Sequence, residues 1–135
     1  DGEFPVARAI LQQFLLENCI DDKTWVVLNG LPRHTGQAEA LSDVLRVVAV
    51  VELRCSAETV LTRIRSNAGG DRSGRTDDDL ESVRRRLVVY EERTRPLTEY
   101  YASRGVPVLP LPVGPATQPD ELVALLETKD PSVCG

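Results

Sequence analysis

Residues 47–53 form an almost continuous apolar run, Val-Val-Ala-Val-Val-Glu-Leu, which constrains the fold more than any other segment. Such a run is typical of a strand in a parallel sheet covered on both faces, since neither face then meets water. Shorter apolar runs at residues 25–28 and 106–109 predict two further strands. The last is expected near a sheet edge, because Pro107 and Pro110 cannot donate to a strand ladder. Helical patterns alternate with these runs, so the sequence predicts an α/β protein with a parallel sheet.

Five helical segments are expected around these strands, at residues 5–18, 37–45, 56–65, 76–104 and 120–129. Ser56 is a good N-cap for the third segment. Pro96 is expected to break or kink the fourth, which then ends at Gly105. The apolar stripe of that fourth segment would consist of Leu80, Val83, Leu87 and Tyr90. Residues 67–74 hold three glycines and predict a mobile polar loop.

The composition fits one domain and excludes several classes of function. A net charge of −5 over 135 residues provides no overall field that favours nucleic acid or an anionic membrane. Three widely spaced cysteines and a single histidine exclude a Cys/His zinc site and argue against a disulfide framework, so a reducing, cytoplasmic location is expected. No apolar run approaches the roughly 18 residues of a membrane span. Because the chain contains no methionine, we expect a processed or fragmentary product.

The segment Asn29-Gly30-Leu31-Pro32-Arg33 directly follows the first predicted strand. Ligands of open parallel sheets bind at the carboxyl ends of strands. Gly30 would let the backbone approach a ligand closely, and Arg33 could fork a phosphate. A strand-ending turn with a solvated arginine explains the same residues equally well.

Arginine dominates the basic residues of the chain, with 14 Arg and two Lys. Either a bias in the coding sequence or a need to bind phosphate would give this ratio. Arg63, Arg75 and Arg86 form a second candidate set, with Arg86 expected near the inward side of its helix. A bound phosphate or a buried carboxylate would offset the cost of that charge, whereas a solvated basic face is the alternative. Arginine-rich chemistry without an acid/base pair suits phosphoryl transfer.

Several motifs resemble those of adenylate kinases. Residues 29–33 and 37–41, NGLPR and QAEAL, look like the family's DGFPR…QAxxL segment, and residues 74–101 look like its GRxDDxxExVxxRLxxYxxxTxPLxxYY signature. Residues 2–4 with the helix that follows resemble the segment before the family's third helix. The resemblance runs from residue 2 to about residue 127. It implies a three-layer α/β/α, P-loop-kinase-like fold and transfer of a phosphoryl group from ATP to AMP with Mg²⁺.

The resemblance also implies an AMP site and a set of catalytic arginines. The matching AMP-site positions are Phe4, Pro5, Gly30, Arg33 and Gln37. In this interpretation Arg33 grips the AMP phosphate, the Gln37 amide reads adenine, and Phe4 and Pro5 line the adenine pocket. The matching catalytic positions are Arg33, Arg63, Arg75 and Arg86. Arg63 and Gly114 match the ATP site, and no residue of the chain is expected to ligate Mg²⁺ directly.

Three departures from the family pattern bear on these expectations. Asn29 stands where the family has an aspartate that organises the Mg²⁺ shell, and Asn67 stands where a further lid arginine is usual. Nothing in the chain resembles the phosphate-loop motif GxPGxGKGT. Residues 1–129 therefore match the C-terminal two-thirds of an adenylate-kinase-like domain, with a short lid at about 66–75 and a tail at 130–135. The P-loop-kinase-like fold would lack its first strand or strands, which another segment or a separate N-terminal chain would supply.

The expected partners are AMP, ATP and ADP, with no nucleic acid or membrane. Asn29, Asn67 and the missing phosphate loop also support an alternative, a degenerate and catalytically inactive kinase-like module for binding or assembly. A kinase for UMP or CMP is a third interpretation, which Gln37 disfavours only weakly. The 135 residues alone are expected to be inactive for want of a phosphate loop.

Overall fold

The computed structural model describes residues 4–67 and 79–130 of the chain. The chain divides into two compact units, Asp1–Val47 and Val48–Gly135. The helices of the first unit are α1 (Phe4–Glu17) and α2 (Thr35–Leu41). The second unit has the order β1 (Val50–Arg54), α3 (Ala57–Arg65), α4 (Leu80–Val89), a π-helical turn (Tyr90–Thr94), α5 (Arg95–Ala102), β2 (Val108–Pro112) and α6 (Pro119–Lys129). None of the described helices has the length and apolar character needed to cross a membrane.

In the first unit, helix α1 confirms the predicted first helix, and α2 occupies a shorter range than expected. Helix α2 begins two residues before the predicted start and ends at Leu41, with Ala38 and Leu41 buried. Arg8 joins the two helices: its Nη1 donates to the Ala40 carbonyl at 2.8 Å, and its Nη2 lies 2.7 Å from the Asp43 carboxylate. This contact fixes the end of α2 against α1.

The strand predicted at residues 25–28 is wrong for the described structure. These residues adopt no regular secondary structure, and the side chains of Trp25 and Val27 are 51% and 92% exposed. A strand forms only where a neighbouring backbone completes its hydrogen-bond ladder, and the structure assigns these residues no pairing with another described strand. An open apolar cavity of about 500 Å³ lies between this segment and α1, with Ile10, Leu11 and Phe14 in its wall.

The second unit contains the parallel pair β1–β2, which confirms the predicted class. The register places Val51 beside Leu109 and Leu53 beside Leu111. Register partners share a sheet face, yet Leu109 and Leu111 are buried whereas Val51 and Leu53 are 41% and 57% exposed. The prediction of a strand covered on both faces is therefore wrong for β1. Among the described residues, only β2 pairs with β1. Helix α6 packs mainly on β2, so it leaves the same face of β1 largely uncovered.

The long helical segment after the predicted lid begins at an N-cap and contains a π-helical turn, and it continues through Pro96 without the predicted break. Asp79 caps α4 by accepting a 2.6 Å hydrogen bond from the Ser82 N–H, which lowers the pKa of the Asp79 carboxyl. The expected start at Thr76 lies outside the described residues. Pro96 lacks an N–H, and the chain forms a π-helical turn (Tyr90–Thr94) that ends two residues before it. Gly105, at φ +78°, follows the end of α5 as predicted.

Candidate functional site

The Arg33 loop (residues 29–33) is folded back on itself by its own arginine. Gly30 has φ +90°, a backbone conformation that strains any residue with a Cβ atom. The Leu31–Pro32 peptide is cis. The Arg33 Nε donates to the Gly30 carbonyl at 3.0 Å. The arginine is therefore tethered close to the glycine, and its side chain remains exposed.

Gln37 supports this loop from the first turn of α2. Its side chain is only 7% exposed, and its Oε1 accepts a 2.7 Å hydrogen bond from the backbone N–H of Arg33. The structure thus brings together Gly30, Arg33 and Gln37, which are three of the five residues predicted for the AMP site. The amide oxygen of Gln37 is engaged by the loop backbone, a role that the sequence pattern did not predict.

The other two residues predicted for the AMP site open helix α1. Phe4 is half-buried and Pro5 is exposed, and both belong to the first turn of that helix. Their assignment to an adenine pocket stays a prediction.

The second unit brings Arg63 and Gly114 together. Arg63 lies in the last turn of α3, and its Nη1 donates to the carbonyls of Gly114 at 3.1 Å and Thr117 at 2.8 Å. The Pro115 carbonyl lies at 3.5 Å from the same nitrogen. Ser56 begins α3 as predicted, since its Oγ accepts from the Thr59 N–H at 3.1 Å. The two residues predicted for the ATP site are therefore in direct contact.

The remaining predicted arginines are not placed in a site by the structure. Arg86 is exposed on α4, so the expectation that it faces inward is wrong. Val83, one helical turn earlier, is buried, so Arg86 lies at the edge of the apolar face, where its long side chain carries the charged group out to water. Arg75 and most of the predicted lid at residues 66–75 lie outside the described residues. The convergence of four arginines on one ligand stays a prediction.

A buried carboxylate lies in the same unit, and the sequence reasoning missed its role. Glu52 of β1 is 8% exposed, and its carboxylate lies 2.8 Å from Arg54 Nη2 and accepts a 3.1 Å hydrogen bond from the Tyr90 hydroxyl. Burial and the hydrogen bond to Glu52 raise the pKa of Tyr90 to about 12. The available signal was one acidic residue within an apolar strand, which required a partner from another element.

The described residues offer no ready metal site. No group of three or more His, Cys, Asp or Glu side chains within residues 4–67 and 79–130 is arranged to hold a metal ion. Asn29, exposed at the start of the Arg33 loop, contributes an amide and not a carboxylate. These residues do not fit a protein-held Mg²⁺, and we derive no chemical step through one.

A sequence profile of the adenylate kinase family matches residues 5–106 of the chain. The chain belongs to the adenylate kinase family. The match includes Arg33, Arg63, Arg75 and Arg86, whereas Phe4 and Gly114 fall outside it. Family membership agrees with the resemblance carried by the Arg33 loop and by the signature at residues 74–101.

Curated adenylate kinases from several bacteria are similar to the chain over part of their length. The adenylate kinase of Thermus thermophilus is 44% identical over 86 residues, which cover 60% of this chain and 45% of the relative. That of Thermobifida fusca is 36% identical over 106 residues, or 75% of this chain and 54% of the relative. That of Bacteroides fragilis is 38% identical over 89 residues, or 62% and 46%. The chain spans about half the length of the curated relatives it matches.

Proposed function

We propose that the protein to which this chain belongs transfers the γ-phosphoryl group of ATP to AMP and releases two molecules of ADP. The observation that carries this proposal is the Arg33 loop, with Gly30 and Gln37 in contact with Arg33, inside a region that matches the adenylate kinase family. The similar proteins from Thermus thermophilus and Thermobifida fusca are adenylate kinases, which supports the same activity. A cytoplasmic location and a role in nucleotide biosynthesis belong to the same proposal.

Arg33 is the residue we assign to the AMP phosphate. Its Nε is used by the Gly30 carbonyl, so the two Nη groups are the donors we assign to the phosphate oxygens. Gln37 holds the loop that carries Arg33, and its Nε2 is the donor we assign to the adenine ring. Phe4 and Pro5 would line the adenine pocket. The AMP site therefore combines a tethered guanidinium with a buried amide.

The arginines supply what phosphoryl transfer requires from a protein. An AMP phosphate oxygen attacks the γ-phosphorus while the bond between that phosphorus and the β–γ bridging oxygen breaks, so that one ADP forms on each side. Charge spreads over the transferring oxygens, and positioned cations stabilise it without a general base. We assign this stabilisation to Arg33, Arg63, Arg75 and Arg86. Arg63 and Gly114 also belong to the ATP side.

Mg²⁺ enters this proposal together with the ATP phosphates, and no residue of this chain is assigned to hold it. When bound there, the ion would neutralise charge on the β- and γ-phosphates. We also propose that a further parallel strand completes the sheet along the second edge of β1, supplied by an N-terminal segment or by a separate chain. Within the described residues only β2 pairs with β1, and Val51 and Leu53 beside that edge are exposed.

A coupled ADP-release assay with AMP, UMP and CMP as acceptors tests the proposal. We expect the full-length protein to turn over AMP with ATP and to prefer AMP to the pyrimidine nucleotides. We expect the 135-residue chain alone to show no turnover with any acceptor. If the protein turned over UMP or CMP in preference to AMP, the acceptor would be that pyrimidine nucleotide and not AMP.

If the full-length protein released no ADP with any of the three acceptors, the proposed function would be wrong. The alternative is then an inactive kinase-like module for binding or assembly. Asn29 and Asn67, at positions where the family has charged residues, are the observations that favour it. An Asn29→Asp variant separates the two cases further, since restored turnover would assign the loss to this position.

A further inference from the structure

Arg8 lies in the inward-facing stripe of helix α1. Phe4, Arg8 and Leu11 follow one another at helical spacing, so they share one face of the helix. Phe4 and Arg8 are half-buried and Leu11 is buried, whereas Pro5 and Ala9 are exposed. The stripe is apolar on either side of the arginine. A charged group in that position needs partners from another element.

Arg8 bonds two acceptors at the C-terminal end of helix α2. Its Nη1 donates to the Ala40 carbonyl at 2.8 Å, and its Nη2 lies 2.7 Å from the Asp43 carboxylate. Ala40 belongs to the last turn of α2, where carbonyls lack partners within the helix. A guanidinium at this end also stabilises the negative end of the helix dipole. We call these contacts the Arg8 clamp (Arg8, Ala40 and Asp43).

The Arg8 clamp matters because little else fixes the spacing of α1 and α2. The buried side chains in the described part of this unit are Leu11, Gln37, Ala38 and Leu41. The backbones of the two helices approach each other closely at few of the described positions. A small apolar contact is non-directional, whereas two hydrogen bonds from one planar guanidinium fix both a distance and an angle. The clamp therefore sets how α2 lies against α1.

Extending the proposed function, on which this step rests, we infer that Arg8 is a positioning residue for the AMP site. Phe4 lies one turn before Arg8 on the same face of α1, and Gln37 lies about one turn before Ala40 on α2. The Arg8 clamp thus joins the two helices one turn away from the residues assigned to the adenine ring. It sets the distance between them before AMP binds. Neither Arg8 nor Asp43 is among the residues that the sequence predicted for that site.

The inference predicts that one kinetic constant changes. In the full-length protein, Arg8→Met should raise the KM for AMP about tenfold, because a smaller fraction of molecules then has the competent spacing. The KM for ATP and kcat should stay within about twofold, since the clamp supports ground-state and transition-state binding of AMP alike. Arg8→Lys should restore part of the AMP affinity, because a lysine keeps the charge but loses the planar fork. The matched control is Gln13→Met, which removes an exposed hydrogen bond to Glu17 on the same helix.

Asp43→Asn separates the positioning role from a direct contact between Arg8 and the AMP phosphate. If Arg8 acts through the clamp, Asp43→Asn should raise the KM for AMP about threefold and add little to Arg8→Met, because both changes disrupt one interaction. An unchanged or lower KM for AMP in Asp43→Asn would point to direct contact and overturn the inference. A large loss in kcat in Arg8→Met, or an equal rise in its KM for ATP, would also overturn it. Asp43→Asn and Arg8→Lys provide the test if Arg8→Met does not fold.

Binding of AMP separates this inference from the proposed function. If the wild-type protein shows no turnover, calorimetric titration with AMP alone replaces the kinetic assay. A dissociation constant about tenfold weaker in Arg8→Met than in Gln13→Met supports the inference, although the proposed activity has then failed. Equal AMP binding by the wild type and both variants, or no AMP binding by the wild type, overturns it. Wild-type turnover with an unchanged KM for AMP in Arg8→Met overturns the inference and leaves the proposed function standing.

Discussion

The Arg33 loop and the loop that follows β2 (residues 113–118, the Gly114 loop) are both held by a contact between the same pair of residue types, but in different ways. In both, an arginine donates to the carbonyl of a glycine, at 3.0 Å from Arg33 to Gly30 and at 3.1 Å from Arg63 to Gly114. The first contact spans three positions and leaves the arginine exposed, whereas the second spans 51 positions and the arginine is half-buried. Proximity to a glycine loop therefore does not define an arginine's role. The contacts also use different nitrogens, since Arg33 bonds its glycine through Nε and Arg63 bonds the loop through Nη1.

The largest expected effect concerns Arg33, whose Nη donors we assign to the substrate. Arg33→Ala in the full-length protein should reduce kcat/KM for AMP by about 10³-fold or more, because one arginine at a transferring phosphate is worth that much. Arg33→Lys should recover little, since it loses the bidentate fork. Steady-state kinetics with AMP and ATP varied independently measure this.

Arg86→Ala is expected to show a loss of the same order, and near-wild-type turnover in both alanine variants would contradict the assignment.

The next effect concerns the buried amide behind the Arg33 loop. Gln37→Leu leaves the Arg33 N–H without its acceptor, which should lower the free energy of unfolding by about 1–3 kcal/mol. The KM for AMP should also rise, because the loop loses its support. Urea denaturation and AMP kinetics measure the two changes. Glu39→Leu, an exposed position on the same helix, is the matched control, and equal effects in both variants would remove Gln37 from the site.

The features predicted well from the sequence are those with local causes. Ser56 caps α3, and a π-helical turn ends two residues before Pro96, because caps and missing N–H groups act within a few residues. Gly105 takes a positive φ for the same reason. These elements could be placed with no knowledge of the rest of the chain.

The features predicted badly depend on residues far away along the chain. The apolar pattern at residues 25–28 is typical of a strand, but a strand also requires a neighbouring strand to pair with. Without such a neighbour among the described residues, Trp25 and Val27 remain exposed. Glu52 interrupts an apolar run, and its partner Tyr90 is 38 positions away. The bond from Arg63 to the Gly114 carbonyl spans 51 positions. The sequence motifs identified the residues of the candidate site. The direction in which their donor groups point could be learned only from the structure.

The Tyr90–Glu52 hydrogen bond gives a smaller effect that tests how the second unit is held together. Tyr90→Phe should lower the free energy of unfolding by about 1.5 kcal/mol, near the low end for a bond to a charged group because Tyr90 is half-buried. Chemical denaturation at neutral pH measures this change. Arg54 still contacts Glu52 in the variant, so the carboxylate keeps one partner.

The same variant should change how stability depends on pH. Folding raises the pKa of Tyr90 from 10.0 to about 12, so the folded state keeps a proton that the unfolded chain has lost. Its contribution is complete below about pH 10 and is lost as the pH rises towards 12. The fall in stability over this range should therefore be shallower in Tyr90→Phe. Parallel curves for the wild type and the variant would contradict the raised pKa of Tyr90.

The smallest expected effect separates the stability of helix α3 from the action of Arg63 at its end. Ser56→Ala removes the side-chain oxygen that accepts from the Thr59 N–H, and the loss of such a cap costs about 1 kcal/mol. The cap lies at the opposite end of α3 from Arg63, so the KM for ATP should not change. Denaturation and ATP kinetics on one preparation measure both. A rise in the KM for ATP in Ser56→Ala would mean that the stability of helix α3 also affects ATP binding.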